Sequence, residues 1–373
     1  MRHRLNRWTV LLPLAFVAAG TAPGVTRAET SSWQKRVEPA TPAKRSKKAK
    51  VETKKIAPSE RPSNVVPGAV APGTPRAGGP ASLGPTSLPA GGTGSRDPAY
   101  DAFDQGKYLT ALELAKKAAE AGDPQAHTLI ARLYVEGLGV PQSAQTAATW
   151  YTKAAELGDI EGAFGLGVLY AKGEGVKKDI AKAGELFEKA ASKGHASAAY
   201  NLALLFLRGQ GKAENPRRGF LLMQYAAEKG LVAAQYDLGT LYTTGTGTDP
   251  NAFEAAKWFG KAANAGFGEA EVEYAVVLFK GHGVPVDEKR GAALFSSAAH
   301  KGFAVAQNRL ARCFAYGRGV KQDAFEAAKW HLIAKASGLE DDVLEALLKK
   351  LPQKDRVKAA QAAAEWRERW LVQ

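Results

Sequence analysis

The sequence of 373 residues predicts an all-α fold, a solenoid of six 36-residue helix-turn-helix repeats with helical caps and a disordered tether before them. Three observations carry this. Gly122, Gly158, Gly194, Gly230, Gly266, Gly302 and Gly338 recur every 36 residues without a slip. Gly-x-Gly pairs keep the same metre at Gly137/Gly139, Gly173/Gly175, Gly209/Gly211, Gly245/Gly247, Gly281/Gly283 and Gly317/Gly319. Between these marks, large and small apolar residues fall in columns at helical spacing. A fixed period of this length is the signature of a stacked array.

The chain opens with Arg2, Arg4 and Arg7, an apolar run from Trp8 to about Ala19, and small residues through Ala28. That order is that of a secretory signal peptide, and the run is too short to span a bilayer. Residues 1–28 are therefore expected to direct export and to be removed. Residues 29–97 carry most of the prolines, few large apolar side chains, and 12 Lys and Arg against 5 Asp and Glu. Such a segment buries too little apolar surface to offset its conformational entropy, and it is expected to be a disordered basic linker. A basic tether of this kind can rest on an anionic envelope surface.

The six repeats are 123–158, 159–194, 195–230, 231–266, 267–302 and 303–338. Seven residues before each Gly-x-Gly stand Ile130, Leu166, Leu202, Leu238, Tyr274 and Leu310, and six before it only Ala or Gly. Large residues with a small neighbour make the face of a first helix, A, that another helix can approach closely. After the loop a second helix, B, carries Trp150, Leu186, Leu222, Trp258, Leu294 and Trp330, each with Ala four residues on. The glycine after B sits where a left-handed cap is expected.

Composition excludes several function classes. The formal charge of +14 is concentrated before residue 98, and the remainder holds 35 Lys and Arg against 32 Asp and Glu. A nearly neutral folded part argues against nucleic-acid binding. The lone cysteine, Cys313, rules out an intramolecular disulfide, and no later segment approaches 18 consecutive apolar residues. The six histidines share no column and form no metal-ligand spacing, so neither metal nor cofactor is expected. The Gly-x-Gly pairs lie between helices and lack the further residues of a phosphate loop.

The pattern A-x₃-L-G/A-x-L-Y-x₂-G-x-G-V, followed by A-x₂-W-Y/F-x-K-A-A-x₂-G, resembles the Sel-1-like repeat, a relative of the tetratricopeptide repeat. Leu166-Gly167-Val168-Leu169-Tyr170 with Gly173-Glu174-Gly175-Val176, and Ala147 through Gly158, show it cleanly. Departures are Lys212 and Thr248 in the Val column and Leu278 in the aromatic one. The resemblance implies a right-handed α/α superhelix. Residues 98–122 fit an N-terminal half-unit of tetratricopeptide-like spacing, and 339–373 supply closing helices around Leu351-Pro352.

With the signal-like start pointing to an exported, periplasmic or secreted protein, the resemblance implies a non-catalytic scaffold that holds a protein or peptide on its concave, A-helix side, such as a sensor kinase's periplasmic domain or a wall-remodelling enzyme. Carried onto this chain, the partner-binding set is Phe164, Tyr200, Asn201, Tyr236, Asp237, Glu273, Arg309 and Arg312. Aromatic rings there offer contact area with few rotamers to freeze, and Asn201 can both donate and accept. The alternative is a penicillin-interacting enzyme of cell-wall chemistry. Its Ser-x-x-Lys signature occurs only at Ser32–Lys35 in the tether, and the paired cysteines of such relatives are missing.

Overall fold

The computed structural model describes residues 97–372; the signal segment and almost all of the linker lie outside them. Among the described residues there are sixteen helices and no strand. A short α1 (Pro98–Asp104) and α2 (Tyr108–Glu120) come first. Six A/B pairs follow: α3 (Pro124–Glu136) and α4 (Ala144–Glu156), α5 (Ile160–Lys172) and α6 (Ile180–Ser192), α7 (Ala196–Arg208) and α8 (Pro216–Glu228). Then come α9 (Val232–Thr244) and α10 (Ala252–Asn264), α11 (Gly268–Lys280) and α12 (Glu288–His300), α13 (Ala304–Tyr316) and α14 (Ala324–Ala336). α15 (Asp342–Lys350) and α16 (Gln353–Val372) close the array, with α16 lying against α14. From α1 to α15 each helix packs on the next in the chain, and the buried residues form successive clusters along the stack.

The same punctuation recurs along the six pairs from α3 to α14. Each A helix ends at the first glycine of a pair, which takes a left-handed φ as C-cap. Each B helix begins at a side-chain cap: Ser143, Asp179, Asn215, Asn251, Asp287 and Asp323 all accept from a backbone N–H two or three residues on. Such caps contribute about 1 kcal/mol each. This cap column repeats at 36 residues as plainly as the glycines do, and sequence reasoning passed over it.

The second glycine of a pair serves a different purpose. At Gly211, φ is +66° and a Cβ would lie 2.7 Å from the carbonyl carbon of Ile180 at the start of α6. The loop of one repeat thus sits directly on the first turn of the previous B helix.

The core corrects the expectation for the B helices. The fully covered column is the residue after the Trp/Leu column: Tyr151, Phe187, Met223, Phe259, Phe295 and His331. These side chains fill the space left by small A-helix residues, so that a Cβ on Gly167 would lie 2.7 Å from Phe187 and one on Gly239 2.7 Å from Phe259. Trp150 is half-buried, with the Lys153 ammonium 4.9 Å from its ring centre, whereas Trp258 and Trp330 are buried.

Candidate functional site

The side chains assigned to a partner begin nine and eight positions before each Gly-x-Gly on the A helices. The first column turns out to interlock consecutive repeats. Thr128 Oγ1 donates to Asp159 Oδ2 at 2.6 Å; Phe164 stacks on His195 with centroids 4.4 Å apart; Tyr236 tilts against Phe267 at 5.4 Å. In each case the partner is the N-cap residue of the next A helix, 31 residues on. Phe164 and Tyr200 are only 8% and 2% exposed. The Tyr200 hydroxyl donates to Asp237 Oδ2 at 2.9 Å. The aromatic stripe is therefore mainly packing between repeats, and Tyr236, half-buried between Phe259 and Phe267, is its member with surface to offer.

The second column changes character along the array. Leu129, Gly165 and Asn201 are buried, Asp237 and Arg309 half-buried, and Glu273 exposed. Gly165 is small because the Tyr151 ring occupies the place of its side chain. Asn201 Nδ2 donates to the Ser197 carbonyl at 2.9 Å, and its Oδ1 has no partner within the fold. Polar surface on this column thus opens in the C-terminal half.

Arg312, expected to face a partner, is buried: its Nε donates to Asp341 Oδ2 at 2.7 Å, and Asn308 Nδ2 donates to the same oxygen at 2.8 Å. Asp341 also caps α15 through the Val343 and Leu344 amides. This cluster seals the last A helix against the closing helices. Hydrogen bonds to the ionised form hold the Asp341 carboxyl below the usual range, against the opposing effect of burial.

Burial pushes the Asp237 carboxyl up to about 6, opposed by the Tyr200 hydroxyl and Arg208. Glu273 is exposed as a residue, yet the protein packed around its carboxyl raises it, opposed by Lys280 and Arg309, and burial lowers Arg309. The charges acting on the Tyr236 hydroxyl are Glu273, Asp237 and Glu269, all negative.

Among the described residues no three His, Cys, Asp or Glu side chains are grouped to hold a metal ion. Cys313 is buried and its thiol is pushed up to about 12, far from a reactive thiolate. His195 caps α7 through Nδ1, accepting from Ala198 at 3.0 Å, and His331 is buried, with Nε2 3.1 Å from Glu345 Oε2. Among the described residues no helix is long and apolar enough to cross a membrane.

Helix pairs in a constant register, each using its neighbour to complete its core, define a helical-repeat solenoid protein. The Sel1 repeat matches residues 105–123, 124–159, 160–195, 196–231, 232–267, 268–303 and 304–339, and the chain belongs to the Sel1 repeat family. Sel1 repeat proteins are generally non-catalytic scaffolds for protein interaction. Among solved structures the chain is similar to a Sel1 repeat protein from Oxalobacter formigenes, at 28% identity and a TM-score of 0.57, covering 66% of this chain and 99% of that one. It is also similar to c5321, a protective antigen of uropathogenic Escherichia coli strains displaying an SLR fold, at 26% identity and a TM-score of 0.51, covering 74% of this chain and 68% of that one. Comparison with curated proteins found no match.

Proposed function

We propose that the protein is an exported, periplasmic, non-catalytic scaffold or regulator that binds a partner polypeptide along the inner face of its A helices. The observation that carries this reading is the change along one column from buried Leu129, Gly165 and Asn201 to the half-buried Asp237 and Arg309 and the exposed Glu273. Tyr236 lies beside these steps and adds ring surface. Phe164, Tyr200, Asn201 and Arg312 hold the face in shape from beneath. By analogy with the family, the partner is a sensor kinase's periplasmic domain or an enzyme of wall remodelling, and the signal-like segment 1–28 supplies the export.

The test compares the wild type with an Asp237→Asn, Glu273→Gln, Arg309→Gln variant as bait in envelope extracts, after matching their thermal midpoints. A polypeptide retained by the wild type and lost from the variant supports the reading. Equal retention by both places binding elsewhere.

A further inference from the structure

In the four central repeats, the A-helix positions nine and five before each Gly-x-Gly are Phe164 with Val168, Tyr200 with Leu204, Tyr236 with Thr240, and Val272 with Val276. Residues four apart share a helix face, so these pairs form two adjacent rows across α5, α7, α9 and α11. The rings of Phe164 and Tyr200 are buried, whereas Val168, Leu204, Thr240 and Val276 are all half-buried. Val168, Leu204 and Val276 each rest one side on the core. The Thr240 hydroxyl donates to the Tyr236 carbonyl at 3.3 Å, which leaves its methyl group to the row. An arginine ends the row in both directions. Arg132 lies 4.8 Å from the Phe103 ring centre and 3.7 Å from Glu136, and Arg312 is buried on Asp341. A strip with one apolar position per repeat thus runs for four repeats and stops.

One turn further along the A helix, three of these repeats carry a cation: Lys172, Arg208 and Lys280. Lys172 is half-buried and the other two are exposed. Each has an acidic neighbour, Glu174 at 3.6 Å from Lys172, Asp237 for Arg208 and Glu273 for Lys280. An ammonium carries three N–H donors and a guanidinium five, so one carboxylate does not exhaust them. The strip is therefore flanked along one edge by hydrogen-bond donors.

Spacing selects the conformation of a chain laid along the strip. Neighbouring helices sit about 8–10 Å apart. A β-strand returns to the same face after about 6.6 Å, and its residue at about 10 Å points away. An α-helix comes back near this spacing only after about seven residues, or about 10.5 Å, and slips past the floor positions over successive steps. A polyproline II segment turns once every three residues at about 3.1 Å each, so every third side chain meets the strip at about 9.3 Å. Its backbone makes no internal hydrogen bonds and lacks an N–H at each proline, so its carbonyls need donors from outside.

We propose that the strip formed by Val168, Leu204, Thr240 and Val276 is a docking groove for a proline-rich partner segment of about ten residues in polyproline II form, with an apolar side chain at every third position. The segment's carbonyls accept from Lys172, Arg208 and Lys280, and Tyr236 and Val272 add contact beside the strip. This rests on the proposed binding face and names the class of polypeptide it takes.

The experiment measures binding of three capped, fluorescent peptides to the full chain by anisotropy. The first repeats Leu-Pro-Pro four times, the second repeats Leu-Pro-Pro-Pro four times, and the third is an amphipathic helix with leucine at every seventh position. The period-three peptide is expected to bind at least about tenfold more tightly than either of the others. Its affinity falls at least about tenfold in a Leu204→Ser, Val276→Ser variant. It falls at least about threefold in a Lys172→Gln, Arg208→Gln, Lys280→Gln variant, which leaves the floor of the strip untouched and decides alone if the first variant fails to fold. No binding of the first peptide, equal affinity for the first and second, tighter binding of the helical one, or affinities unchanged in the folded variants overturns the proposal. Where the peptides fail but the Asp237→Asn, Glu273→Gln, Arg309→Gln variant still loses its captured polypeptide, the binding face stands with another class of partner. Where that capture also equals the wild type, both readings fall.

Discussion

The imidazole of His195 stacks on the ring of Phe164, with centroids 4.4 Å apart and planes 28° from parallel. The same imidazole caps α7 and meets Glu161 at 2.9 Å, so one residue closes a helix end and joins two repeats. Thr128 with Asp159 and Tyr236 with Phe267 repeat the relationship in hydrogen-bonded and aromatic form.

Phe164→Ala removes most of that junction. Truncating a buried Phe costs about 3–5 kcal/mol in compact cores, and about 3 kcal/mol is expected here. Urea denaturation followed by circular dichroism measures it. A loss under about 1 kcal/mol would show that the ring is not a packing element.

The carboxyl of Asp237, pushed up to about 6 by burial, holds its proton more tightly in the folded chain than in the unfolded one. As pH falls from about 6 to 4 the folded state takes up a proton that the unfolded state does not, so this group makes the protein more stable on acidification, by on the order of 2 kcal/mol. Asp237→Asn should remove that rise. Denaturation midpoints at pH 7 and pH 5 for both proteins decide it, and an unchanged slope in the variant contradicts the assignment.

Glu345 works in the opposite sense. Lys335 and His331 hold its carboxyl down to about 2, so its stabilising contribution is present above the ordinary carboxylate range and is lost as pH falls from about 4.5 towards 2. Glu345→Gln should therefore flatten the acid limb of the stability profile. A variant that still loses stability as steeply as the wild type in that range contradicts this.

Two glycines with left-handed φ separate strain from crowding. Gly230 has φ +88° and open space around it, so Gly230→Ala should cost about 1–2 kcal/mol from backbone conformation. Gly211 adds the approach to Ile180, and Gly211→Ala should cost at least about 1 kcal/mol more. Equal losses in the two melting curves would mean that the loop does not bear on the previous helix.

Asp341→Ala leaves Arg312 buried without its carboxylate and strips the cap from α15. Breaking a buried pair in this way costs about 3–5 kcal/mol. Chemical denaturation should show that loss together with earlier exchange of amide protons in α15 and α16. Wild-type protection there would contradict a sealing role for the cluster.

The solenoid was legible because the glycine metre and the columns of small residues repeat six times in register. The inward column of B was not. Trp150 and Tyr151 are 100° apart on one helix, and helical spacing alone does not say which points inward. The small residues of A choose: the space beside Gly165 is filled by Tyr151, and Trp150 is left half-covered under Lys153. The candidate site was half legible for a related reason. A 36-residue comb groups Phe164, Tyr200 and Tyr236 as equals, whereas their surroundings are fixed by residues 31 positions later, where His195, Leu231 and Phe267 differ. A comb at that second offset would have paired Thr128 with Asp159 and Phe164 with His195. Whether Asp237 and Glu273 are open depends on neighbouring repeats, which no single column records.

The most direct measurement places a photo-activatable side chain at Glu273 on the A face and, in a second protein, at exposed Glu185 on helix α6, and irradiates both in cells. A discrete polypeptide joined at Glu273 and not at Glu185 is the expected result. Capture at Glu185 alone, or equally at both positions, would contradict a binding role for the A-helix face.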